Sequence, residues 1–472
     1  MEKENILFAF EEKYPFLYGV LVNGVPIYTC FRDGVLQRLR DGTPAVSSAG
    51  EEPKSKVSIK RIWQGFCKKR KYKKAKTLIF TSSVYRRDKG RNLVAEYLLG
   101  KYLDGVVFEW PSRNEVYDNA YFTDPNKRKY CPLDYLSVKW KLFSMFHKKE
   151  FAKLAQECRD EILPLFEKTP TETDNERLAV EYLIEELPKS YATTALYQKL
   201  FAKYFKKYKS VQYAIDFWGG ARENIIPALQ GNPQSIELQH GIITGMHPGY
   251  VYPAFVKNSD LAFFKRTLLV YGEGTKEILC KNSIFDEERI EVIGNPRIQT
   301  YKKLGELAKA DRKLVLFASQ SYEQDGAGKD YYKTVIEVLK QVRSCMKADE
   351  FWKEYRLCVK LHPRESAKAA ELYKTEIPDI EVHGNTSQLF ELLNQTYVQL
   401  TVSSTTLYEA AEFDAPTVSV KYADYTPQSI YGFETWFMKD EKSVQAIMEQ
   451  LKDKQAYENY LAFLKDKTKK YM

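Results

Sequence analysis

From Leu268 to Lys421 the chain alternates short apolar runs with amphipathic stretches, and no other feature restricts its fold as much. TLLVYG, RIEVIGNPR, KLVLFASQ, YRLCVKLHP, IEVHG, VQLTVSS and PTVSVK are short and rich in β-branched and other apolar residues. Between them GTKEILCKN, YYKTVIEVLKQVRSCM, ESAKAAELYKTE, SQLFELLNQ and TTLYEAAEFD carry apolar residues at helical spacing. Near-continuous apolar runs mark strands buried on both faces, and only crossover segments can join such strands in parallel. Five or six βα units of this kind predict a doubly wound, Rossmann-like domain.

The first half carries the same signal more faintly. TLIFTSS, RNLVAEYLLGKYL and VVFEWPS read as strand, helix, strand. Residues from about 134 to 210 read as a run of helices, with their aromatics assigned to the core. YAIDFWG and SIELQHG follow as strands ending in glycine turns. The first 50 residues, punctuated by NG and DG dipeptides, read as short strands and hairpins. A chain of 472 residues exceeds one ordinary core, so two α/β domains are expected.

Seven cysteines (Cys30, Cys67, Cys131, Cys158, Cys280, Cys345 and Cys358) form no CxxC pair, which argues against a zinc ribbon or a redox motif and for reduced thiols. The acidic N-terminus with short apolar runs does not read as a signal peptide. No stretch approaches the roughly 18 apolar residues of a membrane span, so a soluble or surface-bound protein is expected. The net charge of +9 is concentrated: Lys54 to Lys76 holds eleven Lys or Arg, no acid, and both Trp63 and Phe66. Basic residues interleaved with aromatics suit an anionic membrane surface. A solvated basic loop reads the same way, and nucleic acid is not expected as a partner.

In a parallel α/β sheet, ligands sit beyond the carboxyl ends of the strands, so the polar residues there are the candidates. His362, Pro363 and Arg364 end one strand, where an imidazole and a guanidinium can face a phosphate. Ser403, Ser404 and Thr405 precede a helix, and Glu409 lies one turn in, placed to accept from a ribose diol. One of these hydroxyls is needed merely as a helix cap. Gly294, Asn295 and Arg297 follow a third strand, and Ser319 and Gln320 a fourth; each set also reads as an ordinary loop. In the first half, His240 and Gly241 end a strand, and His240 is a candidate general base with Asp216 as the second. His247 opens an HPG turn nearby in sequence. A satisfied structural histidine is the competing reading of each, and it weighs more for His247 than for His240.

Taken in order, QHG, GNPR, KLHP and SST followed by YEA resemble the GT-B enzymes of bacterial surface-glycan assembly, over roughly Ser235 to Val420. These include capsule-type transferases, bacterial sialyl- and polysialyltransferases, and the polyol-phosphate transferases of teichoic acid synthesis. The resemblance implies a GT-B fold, α/β, with two Rossmann-like domains facing across a cleft. Residues 1–262 would be an acceptor-binding domain with a helical insertion at about 134–210, and residues 263–440 the donor domain. Helices at 441–472 would pack back toward the N-terminal domain. By resemblance, His362 and Ser403 to Thr405 hold the donor nucleotide, CMP- or CDP-linked with UDP as the alternative, and His240 is the base; Pro363, Arg364, Glu409, Gly294, Asn295, Arg297, Ser319 and Gln320 are added to the donor site from their places after the strands. Gly241 and His247 would contact the acceptor. The partners implied are a nucleotide sugar and a glycan or lipid-linked glycan, at the inner face of the plasma membrane. No cofactor beyond the donor is expected, and the lack of a DxD run predicts no obligatory metal. A CDP-polyol phosphotransferase, a sugar-nucleotide 2-epimerase and a non-catalytic nucleotide-binding scaffold are the alternatives.

Overall fold

The computed structural model describes residues 6–42, 59–82, 91–111, 129–208, 212–215, 234–239, 241–245, 247–282, 284–304, 310–321, 330–363, 365–384 and 388–472. It divides into two units, the second made of Tyr271–Gly274 and Gly294–Met472 among the described residues. Each unit is built on a parallel sheet. No described helix is long and apolar enough to cross a membrane.

The first unit opens with α1 (Ile6–Lys13), a hairpin of β1 (Leu21–Val22) and β2 (Val25–Pro26), and α2 (Arg32–Asp41). It continues through α3 (Ile59–Lys71), β3 (Thr77–Ser82), α4 (Leu93–Lys101), β4 (Gly105–Trp110) and β5 (Tyr130–Pro132). Three helices follow: α5 (Asp134–Phe146), α6 (Lys148–Glu167) and α7 (Asp174–Phe205). The remaining strands are β6 (Gln212–Ile215), β7 (Gln234–Leu238), β8 (Thr267–Val270) and β9 (Ile290–Val292), with α8 (Glu273–Asn282) between the last two. The seven strands β3 to β9 lie in the order β5-β4-β3-β6-β7-β8-β9, all parallel. β4 is buried along its whole length, as a strand covered on both faces must be.

Most of the described residues 6–42 are helical, which corrects the hairpin reading everywhere but at β1 and β2. Leu7, Phe10, Glu11 and Tyr14 are buried at helical spacing, as are Phe31, Val35 and Leu39, and both sets pack into one core with Leu183 and Leu187 of α7. Only Asn23-Gly24 makes the expected tight turn, with φ of 49° and 78°. The two DG pairs serve helices instead: Gly34 lies inside α2, where an added Cβ would come 2.7 Å from the Tyr182 hydroxyl, and Gly42 ends α2 at φ 61°. Arg32 and Glu11, 1% and 0% exposed, tie α2 to α1 through paired contacts of 2.6 and 2.9 Å. The Tyr28 hydroxyl adds a third bond to Glu11 at 3.0 Å.

The second unit contains α9 (Pro296–Lys303), β10 (Leu314–Ala318), α10 (Tyr331–Ala348), β11 (Arg356–Lys360), α11 (Ala367–Glu376) and β12 (Glu381–His383). After these come α12 (Leu389–Gln395), β13 (Thr396–Thr401), α13 (Thr406–Glu412), β14 (Thr417–Val420), α14 (Pro427–Tyr431) and β15 (Phe437–Met438). The chain closes with α15 (Glu441–Lys452) and α16 (Lys454–Tyr471). The sheet order is β12-β11-β10-β13-β14-β15, all parallel. Numbered from its own first strand this is 3-2-1-4-5-6, the order of dinucleotide-binding Rossmann sheets.

The boundary expected at 262/263 falls elsewhere. β8 pairs with β7 (Ile236↔Thr267) and β9 with β8 (Leu268↔Ile290), so both extend the first sheet and the first unit reaches Ile293. A βα repeat looks the same whether its strand adds to one sheet or starts another. α15 and α16 belong to the second unit, not to a separate 441–472 piece: α15 packs on α10 and β15, and α16 on α13.

Truncating one partner of a fully buried ion pair strands the other charge at a cost of about 3–5 kcal/mol. Glu11→Ala is therefore expected to lower the urea midpoint of the first unit's unfolding by a corresponding amount. A loss below about 1 kcal/mol, the range of a surface pair, would show that α1 is not held this way.

Candidate functional site

The strand order of the second sheet reverses between β10 and β13. Their register pairs Phe317 with Leu400, so Ser319-Gln320 and Val402-Ser403 leave the sheet side by side. One amide side chain joins them. Gln320 Nε2 donates to Ser403 Oγ at 2.8 Å, and Ser403 N donates to Gln320 Oε1 at 2.8 Å. Gln320 N in turn donates to the Tyr331 hydroxyl at 2.9 Å, fixing the residue to the start of α10. Two expected site residues thus meet at the point where a parallel sheet opens a crevice.

The neighbouring hydroxyls have separate tasks. Ser404 Oγ accepts from Thr406 N at 3.2 Å, which makes Ser404 the side chain that caps α13. The Tyr431 hydroxyl donates to the Ser404 carbonyl at 3.2 Å. Thr405 makes no capping bond, so its half-buried hydroxyl is left for another partner. α13 is only seven residues long and its first N–H is already taken, so the hydroxyls rather than its dipole define this corner.

Beyond β11, His362 is half-buried and its backbone N–H donates to the Glu365 carboxylate. Glu365 is 2% exposed and also accepts from Ser319 Oγ at 2.8 Å and from the Tyr332 hydroxyl at 2.9 Å. Burial pushes the Glu365 carboxyl above the usual carboxylate range, against the pull of the His362 N–H, Ser319, Tyr332 and Lys360. Ser319 also meets the Tyr373 hydroxyl at 3.0 Å, so its hydroxyl is committed inside the unit and acts on any ligand only through Glu365. Arg364 lies outside the described residues.

After β9, Gly294 sits at φ 72°, a conformation that favours glycine. Asn295 is 5% exposed, and its Oδ1 accepts from Arg297 N at 2.9 Å and Ile298 N at 3.3 Å, capping α9. Arg297 Nη1 contacts Glu409 Oε1 at 2.8 Å and its guanidinium lies 4.8 Å from the Phe390 ring centre. Two residues expected to touch a ligand separately are therefore paired with each other. Glu409 Oε2 is buried with no hydrogen-bond partner, which leaves one acceptor uncommitted.

In the first unit, His240 and Asp216 lie outside the described residues. The Gly241 carbonyl accepts from Gln239 Nε2 at 2.7 Å. His247 Nδ1 accepts from Gly249 N at 3.1 Å, and its ring meets Tyr250 edge-on at 4.9 Å, so this imidazole closes its own turn.

Sequence reasoning passed over Glu365 and the tyrosines around it. Glu365 had a signal, since a carboxylate three residues after His362 in HPRE can reach back to the His362 N–H. Tyr331, Tyr332 and Tyr373 had none, because they arrive from α10 and α11 through tertiary packing.

No protein-family model matches the chain, and no curated protein matches it in sequence. Solved structures do resemble it. A UDP complex of MnaA from S. aureus aligns over 84% of this chain and 93% of its own, with a TM-score of 0.50 at 12% identity. A Listeria monocytogenes protein proposed to be a UDP-N-acetylglucosamine 2-epimerase aligns over 82% of this chain and 90% of its own, with a TM-score of 0.50 at 11% identity. The wall teichoic acid polymerase TagF aligns over 87% of this chain and 88% of its own, with a TM-score of 0.44 at 12% identity. The fold is α/β with two Rossmann-like units, of the GT-B type.

Because its folded-state pKa is raised, Glu365 contributes fully below the ordinary carboxyl range, and that contribution is lost as the pH rises through the folded value. The stability of wild type relative to Glu365→Gln should therefore decline in urea titrations as the pH rises above the ordinary carboxyl range. Glu365→Ala, which orphans three donors, should cost at least about 2 kcal/mol throughout. A wild-type advantage over Glu365→Gln that grows with pH would contradict this account of the network.

Proposed function

We propose that this chain is a metal-independent glycosyltransferase that moves a sugar from a nucleotide-activated donor to a surface-glycan or lipid-linked acceptor. The observation that carries the reading is the Gln320–Ser403 pair at the strand-order reversal of a 3-2-1-4-5-6 sheet, which supports a donor crevice at that point because such reversals open one in parallel sheets. Around it Ser403, Thr405, His362 and Arg364 would hold the donor's phosphate, with Pro363 setting the turn. Glu409 would accept from the ribose through Oε2 while Arg297 holds its other oxygen. Gly294, Asn295 and Ser319 would shape the site through the backbone and the caps described above.

Chemically, the acceptor oxygen attacks the anomeric carbon of the donor as the bond from that carbon to the leaving phosphate breaks. The bonding pair goes to the phosphate oxygen, and the acceptor's proton goes to His240, with Asp216 the second candidate base. In the polyol-phosphate version the attack falls on phosphorus and a nucleoside monophosphate leaves. Gly241 and His247 would contribute to acceptor binding. The motif order favours a CMP- or CDP-linked donor. A lipid-linked acceptor places the enzyme in the cytoplasm at the inner membrane face, held through Lys54–Lys76.

A second reading, a sugar-nucleotide 2-epimerase, is favoured by the two structures at TM-score 0.50, one a UDP complex and the other proposed to be such an epimerase. It requires acidic side chains to move protons at the sugar and no acceptor. A scaffold that binds nucleotide without catalysis is the third.

A ligand that binds only the folded state stabilises it, by about 2.7 kcal/mol at a hundred times its dissociation constant. In a thermal-shift panel of CMP, CDP, UDP, GDP and ADP, a cytidine nucleotide should raise the melting temperature of wild type and fail to do so for His362→Ala and Ser403→Ala. A response to UDP alone, with UDP-sugar epimerised and no nucleotide released, selects the epimerase. A cytidine response that survives Ser403→Ala removes the donor crevice from where it is placed here, and no response to any nucleotide sinks the transferase reading.

A further inference from the structure

Two helices of the first unit expose large apolar side chains to solvent. On α3, Ile59 is 84% and Trp63 67% exposed; on α5, Leu142, Met145 and Phe146 are 52%, 62% and 83% exposed. The α5 residues occupy positions i, i+3 and i+4, one face of the helix. Its opposite face is packed: Leu136 is fully buried and Trp140 meets Tyr197 of α7 at 4.8 Å. Sequence reasoning assigned the aromatics of this helix to the core, and Phe146 is the exception.

The inward face of α3 is fixed by two residues. Arg61, 7% exposed, pairs with Asp134 at 3.1 Å and Glu109 at 3.2 Å. Gly65 lies so close to the Pro132 carbonyl that no Cβ fits. Ile59 and Trp63, four residues apart, therefore point outward. The two apolar stripes are linked by rings: Trp63 stacks on Phe66 at 6.2 Å, and Phe66 meets Tyr135 of α5 at 5.7 Å. Lys139 extends this row, its ammonium 4.7 Å from the Tyr135 ring centre.

The two segments that carry these stripes have charge of one sign, although Lys76 lies 3.9 Å from the exposed Asp104. No Asp or Glu occurs between Ile59 and Lys76, or between Tyr135 and Lys149. Lys71, Lys74, Lys76, Lys139, Lys141 and Lys148 are all exposed. Large exposed apolar groups rimmed by polar residues mark an interaction site. A predominantly basic rim complements an anionic partner, and Trp, Phe and Met beside lysines suit the headgroup boundary of a bilayer.

We infer that α3 and α5 together form a lipid-insertion face, with Trp63, Met145 and Phe146 entering an anionic bilayer and the flanking lysines contacting its headgroups. This extends the membrane contact proposed above from a charged segment to a folded surface, and it does not depend on the donor reading.

The test is co-sedimentation of the full chain with vesicles of phosphatidylcholine alone or mixed with phosphatidylglycerol. Wild type should pellet with the mixed vesicles only, and added salt should weaken binding. The variant Trp63→Ser/Met145→Ser/Phe146→Ser should lose at least about tenfold in partitioning at low salt, with its melting temperature unchanged because these side chains are exposed. Each of Lys71→Glu, Lys141→Glu and Lys148→Glu should weaken binding by roughly fivefold or more. Binding unaffected by the triple substitution, or equal on neutral and anionic vesicles, overturns the proposal. So does self-association without lipid that Phe146→Ser abolishes, which would make the face a contact between copies of this chain. Nucleotide-induced thermal shifts of the triple variant should match wild type, so failure here and failure of the transferase reading remain distinguishable.

Discussion

Parallel pairing is the constraint on which the rest of this structure depends. A strand that hydrogen-bonds in parallel on both sides cannot be reached by a tight turn, so every neighbour requires a crossover packed on a sheet face. β4 and β10 are buried throughout as a result. The same rule sends every strand's carboxyl end to one edge of its sheet. In the second unit that edge collects Ser319 and Gln320 from β10, His362 from β11 and Ser403 to Thr405 from β13. Where the order reverses, the connections leave in opposite directions and the polar ends are left uncovered.

Buried polar groups then decide how each of those residues is held. Ser319 and the His362 N–H are drawn onto Glu365, which holds the ends of β10 and β11 together with Tyr332 and Tyr373. Ser404 is spent on the cap of α13, and Asn295 on the cap of α9. The donor reading rests on a smaller set: the His362 side chain, Ser403 bonded to Gln320, Thr405, and the buried Oε2 of Glu409. The first unit uses buried charge differently. Arg32 with Glu11, Arg61 with Asp134 and Glu109, and Arg266 with Glu237 at 2.6 Å each bind a helix or loop to its neighbours. Each pair is costly to break because the surviving charge would have no water.

The outer surface of α3 and α5 follows from the same packing. Arg61 and Gly65 seat α3 so closely that its other side must face outward, and Trp63 is carried there with it.

Local pattern alone determined much of this protein. Most strands from Thr77 to Val420 were legible because burial on both faces leaves an unbroken apolar run, while the short β5 was not, and the polar residues after the strands read as candidates for the same reason. Other features depend on which elements meet. The NG and DG pairs of the first 50 residues signalled turns, but α1 and α2 form because Leu7, Phe10, Val35 and Leu39 have a core to enter with α7. β8 and β9 carry no mark of the sheet they join, since edge pairing is backbone hydrogen bonding and is blind to side-chain pattern. Glu365, Tyr331, Tyr332 and Tyr373 became parts of the site only when crossovers brought α10 and α11 against β10. The sequence by itself determined that polar groups would gather at the strand ends; tertiary structure decided which of them are satisfied by one another, because a hydrogen bond between Gln320 and Ser403, 83 residues apart, exists only once the sheet has closed the distance.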